Sequence, residues 1–142
     1  MKNHKILVIE SANTDMVVKT SRLPKTGETI LGGDFFLFPG GKGANQAVAC
    51  ARLGGAVTFV CNLGNDVFGK EALEGFKKDN IDTSFITLDN SQPSGVAVIT
   101  VNENAENTIV VAPGANATLN AEKVLQLDSV FEQTEIILTQ LE

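Results

Sequence analysis

The chain has 142 residues and a formal net charge of −6, and 43% of its residues are hydrophobic and 20% charged. These values fit one ordinary domain with a buried core, and the acidic balance argues against a nucleic-acid partner, which needs clustered Lys and Arg. The N-terminus lacks the pattern of a signal peptide and no apolar run is long enough to span a membrane, so we predict a cytoplasmic protein with no membrane partner.

The first half of the chain alternates apolar runs with a helical pattern. Residues 5–9, KILVI, predict a strand buried on both faces. Residues 43–53 predict a helix that stops at Gly54 and Gly55. Residues 57–64, VTFVCNLG, predict a second strand of the same buried type.

The same alternation continues through the second half. Asp66 is a suitable N-cap for a helix that runs to Lys78, and residues 84–88 predict a third strand. Another helix is predicted from about Asn120 to residue 131, and residues 135–140, EIILTQ, predict a last buried strand. Strands that alternate with helices predict a parallel α/β sheet.

Three β-type segments do not fit this alternation and are less uniformly apolar. They are residues 16–24, residues 29–38 and a hairpin at residues 95–111 with the polar turn NENAE. A sheet with one exposed face has this pattern. We therefore predict that the three segments form a separate small sheet that covers one edge of the α/β body.

The stretch GGKGANQA at residues 40–47 looks like a phosphate-binding loop. It is not a Walker A loop, because Lys42 is followed by Gly43 and not by a hydroxyl residue, and Gln46 occupies the third glycine position of the Rossmann fingerprint. Its glycines allow a ligand close to the backbone, and Asn45 can both donate and accept, which suits a hydroxyl-rich ligand better than a phosphate. The alternative, that the glycines only make a tight turn, stays open on local grounds.

Asn13 and Asp15 follow the first strand, at the end where open α/β sheets bind ligands. They are two residues apart, so in an extended chain they point to the same side, and a carboxylate beside an amide can bind neighbouring hydroxyls. An ordinary turn is the commoner explanation for an isolated pair of this kind. Glu142 follows the last predicted strand and is expected at the same rim, unless it is simply a solvated residue.

Other reactive side chains are few. Cys50 and Cys61 lie in apolar settings, which favours buried thiols in a reducing compartment over a disulfide. The single histidine, His4, lies close to the N-terminus. No zinc site and no Ser–His or Cys–His nucleophile pair is therefore predicted.

Seven segments occur in a characteristic order, namely SANTD (11–15), PKTGETI (24–30), GGKGANQAVACARLG (40–54), GNDVFG (64–69), SGVAVITVN (94–102), GANATL (114–119) and QLE (140–142). Together they resemble the PfkB family of carbohydrate kinases, the ribokinase-like family, over the whole chain. The resemblance implies a Rossmann-type α/β fold, with a mainly parallel sheet flanked by helices and a small β-sheet lid.

The resemblance also implies a chemistry. Family members transfer the γ-phosphate of ATP to a sugar hydroxyl, which is the 5-hydroxyl of D-ribose in the ribose-specific members. They use Mg²⁺ and a monovalent cation, K⁺, and commonly form a homodimer through the lid sheet. Lys42 is expected to act through its backbone, and Val111 matches an apolar lid position. The implied substrate-binding residues are Asn13, Asp15, Gly41, Lys42, Asn45, Val111 and Glu142, with no metal ligand among them.

The chain departs from the family pattern in two places. The second family signature, D-T-x-G-A-G-D, whose last Asp is the catalytic base, has no counterpart in the sequence. The nucleotide and cation sites lie largely in that later half, so we expect residues 1–142 to be an N-terminal fragment without kinase activity on its own. Glu10 stands where the family usually has glycine. This difference is either a tolerated or engineered change, or one that impairs sugar binding or creates a new interface.

Two further interpretations remain beside a ribose kinase. The chain is either a non-catalytic sugar-binding or self-assembling α/β domain, or part of another sugar kinase of the same family. The residues present do not separate them, because pentose selectivity depends partly on the later half of family chains.

Overall fold

The computed structural model describes residues 4–140 and contains two four-stranded sheets. The strands are β1 (Lys5–Ile9), β2 (Asn13–Lys19), β3 (Phe35–Gly40), β4 (Ala56–Gly64), β5 (Ile86–Asp89), β6 (Gly95–Val101), β7 (Asn107–Ala112) and β8 (Ile136–Leu138). The helices are α1 (Lys42–Arg52), α2 (Val67–Lys78), α3 (Ala121–Val124) and α4 (Asp128–Phe131), with a 3-10 helix at Gly114–Thr118.

The main sheet has the strand order β5-β4-β1-β8, and all its pairings are parallel. Neighbouring residues of β1 face opposite sides, so Val8 packs with Phe59 and Phe76 in one cluster while Leu7 packs with Leu127 in another. Both β1 residues are fully buried. This explains why residues 6–9 of β1 are all apolar, and it confirms the predicted α/β sheet with both faces covered.

The small sheet has the order β3-β2-β6-β7 and confirms the prediction of a separate sheet. Strands β2 and β6 are parallel, and β3 and β7 pair antiparallel at the two edges. Every residue of β7 is exposed, unlike the central strands of the main sheet. That this sheet serves as a lid stays a prediction.

The predicted helix ends of α1 and α2 agree with the structure. Helix α1 begins at Lys42, after Gly41, and is followed by Leu53 and Gly54. The Asp66 side chain caps α2 by accepting a hydrogen bond from the Gly69 amide at 2.9 Å. The helix ends at Lys78, where two lysines favour the negative end of the helix dipole.

The predicted helix between Asn120 and residue 131 is wrong as a single element. The Gln126 and Leu127 amides bond to carbonyls three residues back, which tightens the chain after α3. Leu127, which is 7% exposed, turns into the core beside Leu7 before α4 begins. Burial of this side chain therefore takes precedence over helix continuity.

Three strand predictions also need correction. The segment predicted at residues 16–24 begins earlier and ends at Lys19, so residues 20–24 are not a strand. Residues 29–34 are not a strand, because the Gly33 amide bonds back to the Lys19 carbonyl at 2.8 Å and the ladder restarts only at Phe35. β8 was expected to be buried, but Ile136 and Ile137 are 43% and 51% exposed. Within the described residues β8 lies at the edge of the main sheet and pairs with β1 alone.

The cysteines are free thiols, with Cys61 buried and Cys50 half-buried. Burial raises the pKa of the Cys61 thiol, so this side chain is neutral and acts as a small apolar core residue. Among residues 4–140, no helix has the length and apolar character needed to cross a membrane.

Candidate functional site

A cleft of about 870 Å³ lies between the carboxyl ends of the main-sheet strands and one face of the small sheet. Open α/β sheets bind ligands at this end of their strands. Six predicted site residues line the cleft, namely Asn13, Asp15, Gly41, Lys42, Asn45 and Val111. Glu142, the seventh, lies outside the described residues. The roles of all seven stay predictions, but the six come from four separate elements and meet at one cavity.

Asn13 and Asp15 belong to β2, so they point to the same side as the two-residue spacing predicts. In the sheet register Asp15 lies beside Ala97 of β6, and Ala97 lies beside Val111 of β7. Ala97, Val111 and Ile109 line the same cleft. This face therefore presents a polar pair next to an apolar wall, which is the composition of a small-molecule site.

The Asp15 carboxylate is a partly buried acceptor. Burial raises its pKa, because the charged form loses solvation. The structure gives it no hydrogen-bond partner among residues 4–140. A ligand hydroxyl in the cleft would therefore find an acceptor that no neighbour already uses.

The glycine loop makes a tight turn and also forms a wall of the cleft. Gly41 has φ 92°, and a Cβ there would lie 2.9 Å from the Ser11 carbonyl oxygen and from the Asn13 amide nitrogen. The Ala44 amide donates to the Ser11 carbonyl at 3.1 Å. These contacts hold the start of α1, and with it Lys42 and Asn45, against the loop that precedes β2.

Asn116, in the 3-10 helix, is the residue that sequence reasoning missed. Its Oδ1 accepts from the Ala12 amide at 3.0 Å, and its Nδ2 donates to the Ala12 carbonyl at 3.1 Å. Nδ2 also donates to Asn13 Oδ1 at 2.8 Å and to the Pro113 carbonyl at 3.1 Å. The only signal in the sequence was the segment GANATL, since the contact joins residues 103 positions apart.

The contact from Asn116 orients the Asn13 amide. Because Asn13 Oδ1 accepts from Asn116, the Asn13 Nδ2 is the group left for a ligand. Asn13 then offers a donor two residues from the Asp15 acceptor. A hydroxyl donates to one group and accepts from the other, whereas a phosphate could use only the donor.

Glu10 and the segment after β8 complete the cleft. Glu10 is 8% exposed, and Thr139 and Gln140 lie beside it in the wall. Among the described residues, the charged ones that line the cleft are Glu10, Asp15 and Lys42, so carboxylates outnumber the cation there. Within the described part of the chain no three His, Cys, Asp or Glu side chains are grouped closely enough to hold a metal ion.

Known proteins share the sequence pattern and the fold of this chain. The family profile described as pfkB family carbohydrate kinase matches residues 3–140. The chain is 45% identical to a ribokinase of Mus musculus over 137 residues, which is 96% of this chain and 42% of that protein. The chain thus spans less than half the length of this relative.

Two solved structures share the fold. A ribokinase from Giardia lamblia superposes with a TM-score of 0.87 at 35% identity, over 96% of this chain and 41% of that one. The Arabidopsis thaliana ribokinase, whose structure is a complex with ribose and ATP, superposes with a TM-score of 0.78 at 30% identity, over 96% of this chain and 45% of that one. Both likenesses confirm the ribokinase-like fold.

Substitution of Asn116 tests its place in the cleft. Asn116→Asp keeps the acceptor for the Ala12 amide but turns a carboxylate oxygen toward the oxygens of Ala12, Asn13 and Pro113. We expect the free energy of unfolding to fall by about 2 kcal/mol, since each net hydrogen bond contributes about 1 kcal/mol. Chemical denaturation at pH 7 measures the change.

The matched control is Asn104→Asp, which makes the same change of charge in the exposed turn between β6 and β7. Its free energy of unfolding should stay within about 0.5 kcal/mol of the parent value. An equally small effect of Asn116→Asp would show that Asn116 does not hold Ala12 and Asn13 in place.

Proposed function

This chain belongs to the pfkB family of carbohydrate kinases, and we propose that its cleft binds D-ribose for phosphorylation at the 5-hydroxyl by ATP. The observation that carries the proposal is the meeting of Asn13, Asp15, Gly41 and Asn45 at one cleft. These residues come from β2 and from the loop and first turn of α1. Their donors and acceptors suit the hydroxyls of a neutral sugar.

The apolar side of the cleft supports the same ligand. Ala97 and Val111 lie on the face that carries Asp15, where the carbon-bound hydrogens of a sugar ring would pack. In this proposal the small sheet is a lid over the sugar. A lid that excludes water favours transfer to the sugar over hydrolysis of ATP.

We propose a separate site for the nucleotide and its cations. The described residues offer no metal-holding group, and the glycine loop lacks the hydroxyl that a Walker A loop uses for magnesium. From the family resemblance we assign ATP, Mg²⁺ and K⁺ to the later half of family chains, which carries the D-T-x-G-A-G-D segment. Phosphoryl transfer depends on positioning and charge stabilisation, so sugar binding alone does not supply it.

Asp15→Asn should separate binding from stability. Loss of the charged acceptor is expected to weaken D-ribose binding at least about tenfold, because hydrogen bonds to charged groups are the stronger ones. The pKa of Asp15 is raised by burial, so its ionised form costs stability at neutral pH. The free energy of unfolding should thus be unchanged or higher in the variant at pH 7, and the difference should shrink as the pH falls below that raised pKa and vanish below the ordinary value of 3.8.

Calorimetric titration with D-ribose and denaturation at several pH values measure the two effects. Asp34→Asn, an exposed aspartate outside the cleft, is the control and should leave ribose binding unchanged. Undiminished binding by Asp15→Asn would refute the assignment of Asp15. Tighter binding of 2-deoxy-D-ribose or D-fructose than of D-ribose would favour another sugar kinase of the family.

We expect no kinase activity from the 142 residues by themselves. The sequence has no D-T-x-G-A-G-D segment, whose last Asp is the catalytic base in the family pattern. A coupled assay of ADP release with D-ribose and Mg-ATP tests this, with an intact ribokinase as the positive control. Turnover close to that of the intact enzyme would contradict the expectation.

The small sheet is also the proposed homodimer contact. Leu37, Met16, Val98 and Val110 are neighbours in the register and form a row across all four strands, on the face opposite Asp15. Val98 and Val110 are 49% and 69% exposed, which is a large apolar area for a monomer surface. A second copy would cover this row.

Light scattering should report a dimer for the parent chain and a monomer for Val98→Lys, because a charge in the row opposes its burial. Val67→Lys changes an equally apolar residue, 59% exposed at the start of α2, and should leave the dimer intact. A monomeric parent chain, or a dimer that survives Val98→Lys, would exclude this contact.

A further inference from the structure

Glu10 is a buried carboxylate at the end of β1, and its two oxygens have different partners. Oε2 accepts from the Ser11 amide at 2.9 Å, and Oε1 accepts from the Gln140 amide at 2.6 Å. The side chain is 8% exposed. A buried carboxylate is costly unless it is hydrogen-bonded, and two backbone donors offset that cost.

The contact with Gln140 joins parts of the chain that are 130 residues apart. Strand β8 has only three residues, and its ladder with β1 ends at Leu138. Beyond that residue the chain leaves the sheet, and the Gln140 amide is then held by Glu10. Thr139 and Gln140 nevertheless form part of the cleft wall.

The Glu10 side chain also packs against the start of α1. A Cβ built on Gly43 would lie 1.9 Å from the Glu10 Cβ, so this position of the helix accepts only glycine. Glu10 therefore touches three walls of the cleft, which are the loop after β1, the first turn of α1 and the segment after β8. Removal of its side chain would affect all three.

We propose that Glu10 is a positioning residue, whose carboxylate holds Thr139 and Gln140 in the wall of the ligand cleft. The proposal rests on the sugar-binding function proposed above for that cleft. It assigns a role to Glu10, the residue that replaces the glycine of the family pattern. Glu10 acts through the backbone of Gln140, and both of its oxygens are engaged by amides, so direct contact with the sugar is not part of its role.

Glu10→Gln is the sharpest variant, since it keeps the shape of the side chain but replaces one acceptor oxygen with an amino group that faces an N–H donor. In the ¹⁵N-labelled chain we expect hydrogen exchange at the Gln140 amide to accelerate about tenfold, as expected for loss of a hydrogen bond to a charged acceptor. The D-ribose dissociation constant should rise about fivefold or more, since the two regions are coupled. Glu10→Ala should change both quantities at least as much.

Two controls show whether the effect is local. The Glu135 amide, which donates to the Lys5 carbonyl at 2.9 Å at the opposite end of β8, should keep its exchange rate. Glu132→Gln, an exposed glutamate outside the cleft, should change neither exchange at Gln140 nor ribose binding.

The outcomes separate this proposal from the proposed function. Unchanged exchange at Gln140 in both Glu10→Gln and Glu10→Ala, or faster exchange at Glu135 as well, would overturn the positioning role. Faster exchange at Gln140 with an unchanged ribose dissociation constant would show that the tether does not serve the cleft, and would also overturn it. If the parent chain binds no ribose, the proposed function fails for this chain, while exchange at Gln140 still decides whether Glu10 holds the segment.

Discussion

The cleft depends on the pairing of backbone groups at Glu10, Ser11 and Ala12, the three residues that carry the chain from the main sheet to the small one. Buried N–H and C=O groups need hydrogen-bond partners. These residues lie between two strands, so the hydrogen bonds of neither sheet pair all of their backbone groups. Ala12 is paired through both groups with Asn116, the Ser11 carbonyl accepts from Ala44, and the Ser11 amide donates to Glu10. These partners belong to the elements that form the walls of the cleft. The hydrogen bonds that pair the backbone groups therefore also hold those walls in place.

A second group of hydrogen bonds holds the two sheets together where the chain enters β6. The Asp66 carboxylate, which caps α2, also accepts from the Ser94 amide at 2.8 Å and from the Ser94 hydroxyl at 2.7 Å. Burial alone would raise the pKa of Asp66, but these hydrogen bonds outweigh it and lower the pKa. The small sheet is thus anchored at two points, at Ala12 just before β2 and at Ser94 just before β6. These two strands are the parallel central pair of the sheet.

Local pattern predicted the parts of the structure whose stability is local. The apolar run in KILVI predicts a buried strand, and Leu7 and Val8 indeed face opposite cores. Asp66 is predicted as a cap, and its acceptor oxygen lies only three residues from the Gly69 donor. The break before α4 was missed, since it depends on burial of Leu127 against a distant strand. The hydrogen bonds of Asn116 and Glu10 to these distant segments were missed for the same reason, because their partners are 104 and 130 residues away. Clustering of the six site residues was predictable from family resemblance but not from spacing.

The distribution of charge and of hydrogen-bond capacity in the cleft supports the proposal that this glycine loop faces a sugar and not a phosphate. Among residues 4–140, a phosphate at the loop would lie in a cleft where Glu10 and Asp15 contribute two carboxylates and Lys42 contributes one cation. The Glu10 carboxylate is occupied by backbone amides, which leaves the half-buried Asp15 carboxylate as the available acceptor of the pair. A hydroxyl gains from that acceptor and an anion loses, so the same residue that attracts a neutral polyol repels a phosphate. The orientation of Asn13 by Asn116 adds the complementary donor, and the loop backbone at Gly41 forms the adjacent wall of the cleft.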